Sequence, residues 1–486
     1  MEIIPLDDAG DNTEKCSEVI EDVPLLTILT ISSGLGGPQI YLKALGMPDA
    51  LTALLWATPA IGGCIIQPLI GARSDTCNHR WGRRKPYLAV GSVATTCAVL
   101  TLAWADSVGR LVAYGFFSTT SIEEVRFATL IFAAISVIML GIAVQPLQCA
   151  LRTLVLDVCP IHQQVQAQAW GVRFSGVGQL AGCATGLMLV QGTKDTGETF
   201  TFRAMAGIAV LAVTGTTAAI MLTIREPVFV PAVQRKTRGR GLCQIFGGLM
   251  KTYQECPVVL QSVFTIQFIA WMGWFTFLFY STSYTTELYL ADTINSEQRL
   301  SGFVASLVSY AYSCVGLAAS VILPLVVRTF QSRHYSRVRD RNSDASNATL
   351  LGVWSLSLLL SSILMSMTTL TTSFGRTVCL MAANGVSWAV ANWIPFALVG
   401  KLTPTPAVLL GDSELKGQPN GSMIGLHNVA ISAPQILAAG LSSGILWLAH
   451  RLDASQAEGW ALRAGAVFYL AAACVAYQTA RKCGRS

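Results

Sequence analysis

Twelve stretches of predominantly apolar residues recur along the 486-residue chain, near 25–45, 51–72, 87–106, 127–158, 164–191, 202–224, 258–286, 301–327, 349–371, 377–400, 421–448 and 460–480. About 20 such residues, wound as a helix, cross the hydrocarbon of a bilayer. Lipid offers no partner to backbone polar groups, so a spanning segment must satisfy them internally. The pattern therefore predicts an all-α, multi-pass membrane protein. Composition agrees: 52% of residues are hydrophobic and 12% charged, against about 25% charged in soluble domains.

The chain opens with an acidic stretch, 1–23, that lacks the basic start and small-residue cleavage site of a signal peptide; it reads as a disordered cytoplasmic tail. Thirteen cysteines are scattered through the spans without CxxC spacing, which fits small apolar side chains better than a disulfide or metal framework. Placing both termini in the cytoplasm puts 21 Lys and Arg on inner loops and the C-terminal tail and 9 on outer loops. That bias is the usual one. The formal net charge of +6 then follows from topology, and no nucleic-acid partner is expected.

The basic stretch 225–257 divides the spans six and six. The expected organisation is a tail (1–23), a first six-helix bundle (24–224), the basic cytoplasmic linker (225–257), a second six-helix bundle (258–480) and a short basic tail (481–486). An internal echo supports the division: "IIQPLIGAR" at 65–73 resembles "VILPLVVR" at 321–328, and Pro146 precedes Arg152 by the same six residues that separate Pro395 from Lys401. Parallel six-helix repeats suit a secondary transporter whose site lies between the halves.

Polar residues inside the spans are the candidate site. Gln145, Gln148 and Arg152 fall at i, i+3 and i+7, one stripe of a helix. An arginine in hydrocarbon is costly and should face the bundle interior or an aqueous cavity. Its planar donor fork suits hydroxyl pairs or a carboxylate, although carbonyls of a neighbouring helix would also satisfy it. Asp157 lies five residues further, about 140° around the helix, and a gating role, with Arg173 as a partner, stands beside proton carriage. Gln39, Gln67, Gln179, Asn392, Asn428 and Gln435 are further candidate substrate contacts, and Glu287 a candidate coupling group. Trp271, Trp274, Trp388 and Trp393 either stack on a solute or pack, and His427 is either a relay or a packed side chain. The sequons at Asn347 and Asn420 fall on expected cytoplasmic loops, where glycosylation does not occur.

The loop "GARSDTCNHRWGRRKP" at 71–86 carries Gly71, Asp75, Gly82, Arg83 and Arg84. Glycines permit close helix approach, and Asp75 is suited to a helix N-terminus or an arginine partner. The five match the signature between helices 2 and 3 of the major facilitator superfamily. The 34–88 region, "VQPLQCALRTLVLDVCP", "HQQVQAQAWGVRFSGVGQLAGCATG", "WMGWFTFLFYSTSYTTELY", "GVSWAVANWIPFALVG" and "GSMIGLHNVAISAPQ" together resemble the sucrose/proton symporters, and within them the fungal α-glucoside permeases. The resemblance implies twelve transmembrane helices in two six-helix bundles (the major facilitator fold), sugar transport by alternating access with H⁺, a sugar-binding role for Arg152 and an inner-gate role for the 71–86 loop. It implies no cofactor, and a monomer in the plasma membrane, with a vacuolar or vesicular membrane as the alternative.

Two departures bear on coupling. Plant sucrose symporters have an aspartate where this chain has Gly141, and of their charged cluster late in helix 7 only Glu287 remains. Gln179 stands where the family often has Asn. The losses leave the proton-carrying group unassigned. They motivate a second reading, a permease or efflux carrier for another small metabolite such as a fungal secondary product. An enzyme or a nucleotide-driven pump is disfavoured: the five histidines show no HxxxH spacing, and no GxxxxGK[ST] loop occurs.

Overall fold

The computed structural model describes residues 57–116, 121–192, 197–226, 242–292, 299–335, 342–371, 373–403, 420–454 and 456–485, with Leu45, Met47, Leu51 and Leu55 as isolated positions. The tail 1–23, Gln39, residues 227–241 of the linker and the first expected span apart from Leu45 lie outside them. The described elements are helical: α1 (Thr58–Asp75), α2 (Lys85–Ala103), α3 (Ala105–Phe116), α4 (Ile122–Val158), a single 3₁₀ turn (Ile161–Gln163), α5 (Gln164–Gly192), α6 (Gly197–Thr223), α7 (Leu242–Glu255), α8 (Val258–Asp292), α9 (Arg299–Tyr335), α10 (Asn342–Met367), α11 (Phe374–Ala383), α12 (Gly385–Leu402), α13 (Asn420–Arg451) and α14 (Ala457–Cys483). A helix occupies each expected span from the second onward, the tenth being divided into α11 and α12 at Asn384. The stretch read as a linker contains α7, whose Leu249 is buried. α14 runs through Cys483 into the stretch read as a tail, with Arg481 and Lys482 in its last turn, where cations complement the helix dipole.

Among the described residues, nine helices or helix pairs are long and apolar enough to cross a membrane. Leu211, Leu222, Val93, Val326 and Leu356 are exposed on their outer faces, the pattern of a surface solvated by lipid tails. α1 and α5 are not among the nine, and their packing explains why. α1 lies against α4 and, most extensively, against α13 of the second half; α5 lies against α9 and α12 of the second half. Helices covered by other helices need small and polar surfaces for close approach. α1 buries Gly62, Gly63, Gln67, Pro68, Gly71, Ser74 and Asp75.

The second half is built around one continuous core that includes Trp274, Trp354, Trp393 and Tyr469 and reaches across to Cys149, Leu156 and Ala169 of the first. The first half has smaller clusters, the largest about Met47, Leu102 and Ala133 and about Leu88, Leu151 and Ile220. Where α1 ends and α13 begins, the two backbones touch. A Cβ on Gly71 would lie 2.1 Å from the Gly421 carbonyl oxygen, and one on Gly421 would lie 2.4 Å from that of Gly71. Neither backbone oxygen can rotate away, so only separation of the helices relieves the clash. Gly71→Ala is therefore expected to part the halves at this end. Spin labels at Thr76 and Arg481 should report a longer distance than in the parent, and an unchanged distance would show the contact to be dispensable.

Candidate functional site

Two polar assemblies mark the region where the halves meet. The first closes the end of the bundle where residues 71–86 lie. Arg84 is fully buried: its Nη2 donates to Asp75 Oδ1 at 2.7 Å, its Nε to Asp157 Oδ2 at 2.7 Å, and its Nη1 to the Ser74 hydroxyl. Burial by itself would lower its pKa, but Asp75 and Asp157 more than reverse this and the pKa is raised, so the guanidinium stays charged. Arg83 reaches the same Asp157 at 2.7 Å. Two arginines thus balance two carboxylates.

Both carboxylates also hold the second half. Asp75 accepts the backbone N–H groups of Gly421 and Ser422 at 2.8 Å each and the Ser422 hydroxyl at 2.9 Å. It caps the N-terminus of α13, where a negative charge complements the helix dipole. Asp157 accepts from Asn420 Nδ2 at 2.8 Å. On the first-half side, the Glu226 carboxylate receives the N–H groups of Arg83, Arg84 and Lys85 at 2.6–3.1 Å and so caps α2. Gly82 has φ +106°, and a Cβ there would meet that carboxylate, so glycine is required for both reasons.

This geometry corrects the pairing suggested for Asp157. Arg173 does not reach it: its Nε donates to the Ser320 carbonyl at 3.3 Å and its guanidinium lies 4.5 Å from the Trp170 ring centroid. Asp157 sits in the last turn of α4, whereas Arg173 lies nine residues, about 14 Å, along α5 from its start. Glu226, Asn420, Ser422 and Gly421 were not singled out from the sequence. Glu226 follows a span directly beside the basic linker and so carries a signal in the sequence; Asn420 is marked there only by its sequon.

The second assembly lies deeper, between α1 and α4. Gln67 Nε2 donates to Gln145 Oε1 at 2.8 Å and Gln148 Oε1 at 3.2 Å, while Gln145 donates to the carbonyls of Gly141 and Pro59. A Cβ at Gly141 would meet Thr58 and Pro59 at 3.0–3.2 Å, so a carboxylate there would require α1 to shift. Arg152 turns toward the second half, its guanidinium carbon 4.1 Å from the Phe396 ring centroid. His427 is fully buried with its ring edge-on to Phe396 at 4.6 Å and its Nε2 3.3 Å from Gln267 Nε2.

The remaining candidates disperse. Asn428 bridges α13 to α1 through the Gly63 carbonyl at 3.0 Å. Asn392 and Gln435 donate to their own helices, and Gln179 is half-buried on α5. Glu287 lies near the far end of α8 with Glu458 as its neighbour. Trp271, Trp274 and Trp388 form edge-on contacts within the second half, and Trp393 donates to the Val165 carbonyl at 2.9 Å.

Removing one member of a buried, balanced charge network costs about 3–5 kcal/mol, because its partners are left desolvated. Arg84→Ala should accordingly lower the thermal unfolding midpoint of the detergent-solubilised protein and part the halves at the α1–α13 end. Asp75→Asn, which keeps a carbonyl acceptor for α13, should do less. Equal stability of parent and Arg84→Ala would remove the network from any closing role.

The sequence profile of the Major Facilitator Superfamily matches residues 25–439. The chain is 27% identical to the general alpha-glucoside permease of Schizosaccharomyces pombe, with 90% of this chain and 88% of the permease covered. It is 23% identical to a sucrose transport protein of Oryza sativa subsp. japonica, with 82% and 76% covered. Among solved structures, a bacterial homologue of the iron transporter ferroportin in an outward-facing state superposes with a TM-score of 0.62 at 14% identity, covering 96% of this chain and 100% of the other. The proton:xylose symporter XylE superposes at 0.58, also at 14% identity, with 95% of each chain covered; both likenesses concern the fold. The chain belongs to the major facilitator superfamily, and is a multi-pass membrane transporter rather than an enzyme.

Proposed function

We propose that the protein moves a sucrose- or maltose-type glucoside across the plasma membrane by alternating access, as a monomer with both termini cytoplasmic and with H⁺ as the driving ion. One observation carries the reading: a chain that aligns over 90% of its length with a general alpha-glucoside permease places a glutamine cluster, and an arginine with no carboxylate partner among the described residues, where its halves meet. Gln145, Gln148 and Gln67 supply amide donors and acceptors for hydroxyls, and Arg152 supplies a donor fork. The excess of basic residues on the loops that include 71–86 assigns that end to the cytoplasm, so the Asp75–Arg84–Asp157 network is the inner gate, drawn shut. Opening it admits water to every member, which offsets the lost contacts and makes the gate reversible.

The acidic side chains are relevant to a second reading, export of another metabolite. Asp75 and Asp157 are committed to the gate and Glu287 sits near the outer end, so the centre offers no described carboxylate to carry a proton. Uptake of labelled sucrose and maltose into yeast lacking its own glucoside permeases, at pH 5 and pH 7 with and without an uncoupler, separates the two. Saturable uptake that collapses with the uncoupler is the expected result, and Arg152→Ala should reduce it to background with surface expression unchanged. No uptake by protein that reaches the cell surface would favour export.

A further inference from the structure

Arg152 is held in a way that a simple binding residue does not require. Its guanidinium comes from α4 of the first half, and the ring that covers it, Phe396, comes from α12 of the second. Phe396 is only 6% exposed. Its other neighbour is His427 on α13, and His427 is in turn wedged against Phe264 and beside Gln267. The ring is therefore fixed from behind by the second half and faces a cation of the first.

Among the described residues no carboxylate competes for that cation. Asp75 and Asp157 are bonded into the gate, Glu287 lies beside Glu458, and the 25–45 span has neither Asp nor Glu in its sequence. In a medium of low polarity a lone guanidinium gains more from an aromatic face than it would in water. A solute that bridges Arg152 to the second half must fill the space the ring now takes.

We propose that Phe396 is an internal substitute for the substrate. In the empty carrier its ring caps Arg152 and ties the halves together at the centre, one layer above the cytoplasmic gate; a solute reaches Arg152 only by displacing it. Binding then releases a contact between the halves, which couples occupancy of the site to their relative movement. The proposal rests on Arg152 belonging to the substrate site, and its test is independent of which solute is carried.

Cys149 is the reporter. It is fully buried, lies one turn before Arg152 on α4, and belongs to the core that spans the two halves. In full-length protein in detergent, without solute, the rate of N-ethylmaleimide addition to Cys149 is read by peptide mass spectrometry. Phe396→Leu, which keeps apolar volume but removes the aromatic face, is expected to speed labelling about ten-fold, the equilibrium shift that a partly desolvated cation–π contact provides. Phe396→Tyr should label like the parent. Arg152→Met should label as fast as Phe396→Leu, and the double variant no faster, because both changes remove one contact. A Phe396 that merely fills space would give no such equivalence.

Slow labelling of Cys149 in both Phe396→Leu and Arg152→Met would overturn the proposal; if Phe396→Leu does not fold, Arg152→Met decides alone. Maltose transport by the parent, with Cys149 still protected in both variants, would sink the substitute while leaving the glucoside reading. Protein that transports no glucoside yet shows the labelling pattern would do the reverse.

Discussion

A buried arginine bonded to two carboxylates, each also tied to the opposite half, is the contact on which the observed arrangement depends. Arg84, Asp75 and Asp157 are almost wholly removed from solvent. Charges so placed contribute little net stability, because desolvation offsets most of their attraction. For a structure that had only to be stable this would be a poor choice. For the proposed gate it is a good one: separation would restore hydration to every group and keep the closed and open arrangements close in energy. Arg83 and Asn420 complete the set on Asp157. The N-terminal dipole of α13, capped by Asp75, is satisfied only while the halves are together, whereas the Glu226 cap of α2 lies within the first half.

Close backbone approach makes those short bonds geometrically available. Gly71 and Gly421 let α1 and α13 touch, and Gly425 packs directly against Pro68 one turn further in. Small residues at the crossing bring Asp75 within reach of the α13 N-terminus; larger ones would leave water between them. Polar reach and steric thinness are thus one requirement, and they explain why α1 lacks the apolar character of the lipid-facing helices.

The centre is held differently. There the polar contacts between halves among the described residues include an arginine on an aromatic ring, an asparagine on a carbonyl, an indole on a carbonyl and Arg173 on the Ser320 carbonyl. None involves a paired charge. A solute with several hydroxyls can replace contacts of this kind, whereas it could not replace the network at the gate. The contacts therefore grade from uncharged or singly charged ones at the centre to a buried ion network at the end where residues 71–86 lie.

Much of this was legible in the residues. Span count, the polar stripe of Gln145, Gln148 and Arg152, and the fitness of Asp75 for a helix N-terminus or an arginine follow from periodicity and charge, which act locally and leave a pattern in the chain. Arg152, Asp157 and Arg173 could all be recognised as costly in hydrocarbon, so partners were required. Which partners was not legible: Asp157 went to Arg83, Arg84 and Asn420 instead of Arg173, and Arg152 to a phenylalanine 244 positions away. Ser422 had no pattern to mark it. The sequence by itself determined that this chain is a bundle of membrane helices with a few obligatory polar sites inside. Only the tertiary structure decided how those sites pair, because pairing depends on where helices distant in sequence cross, and the crossing is set by the packing of small residues over whole faces.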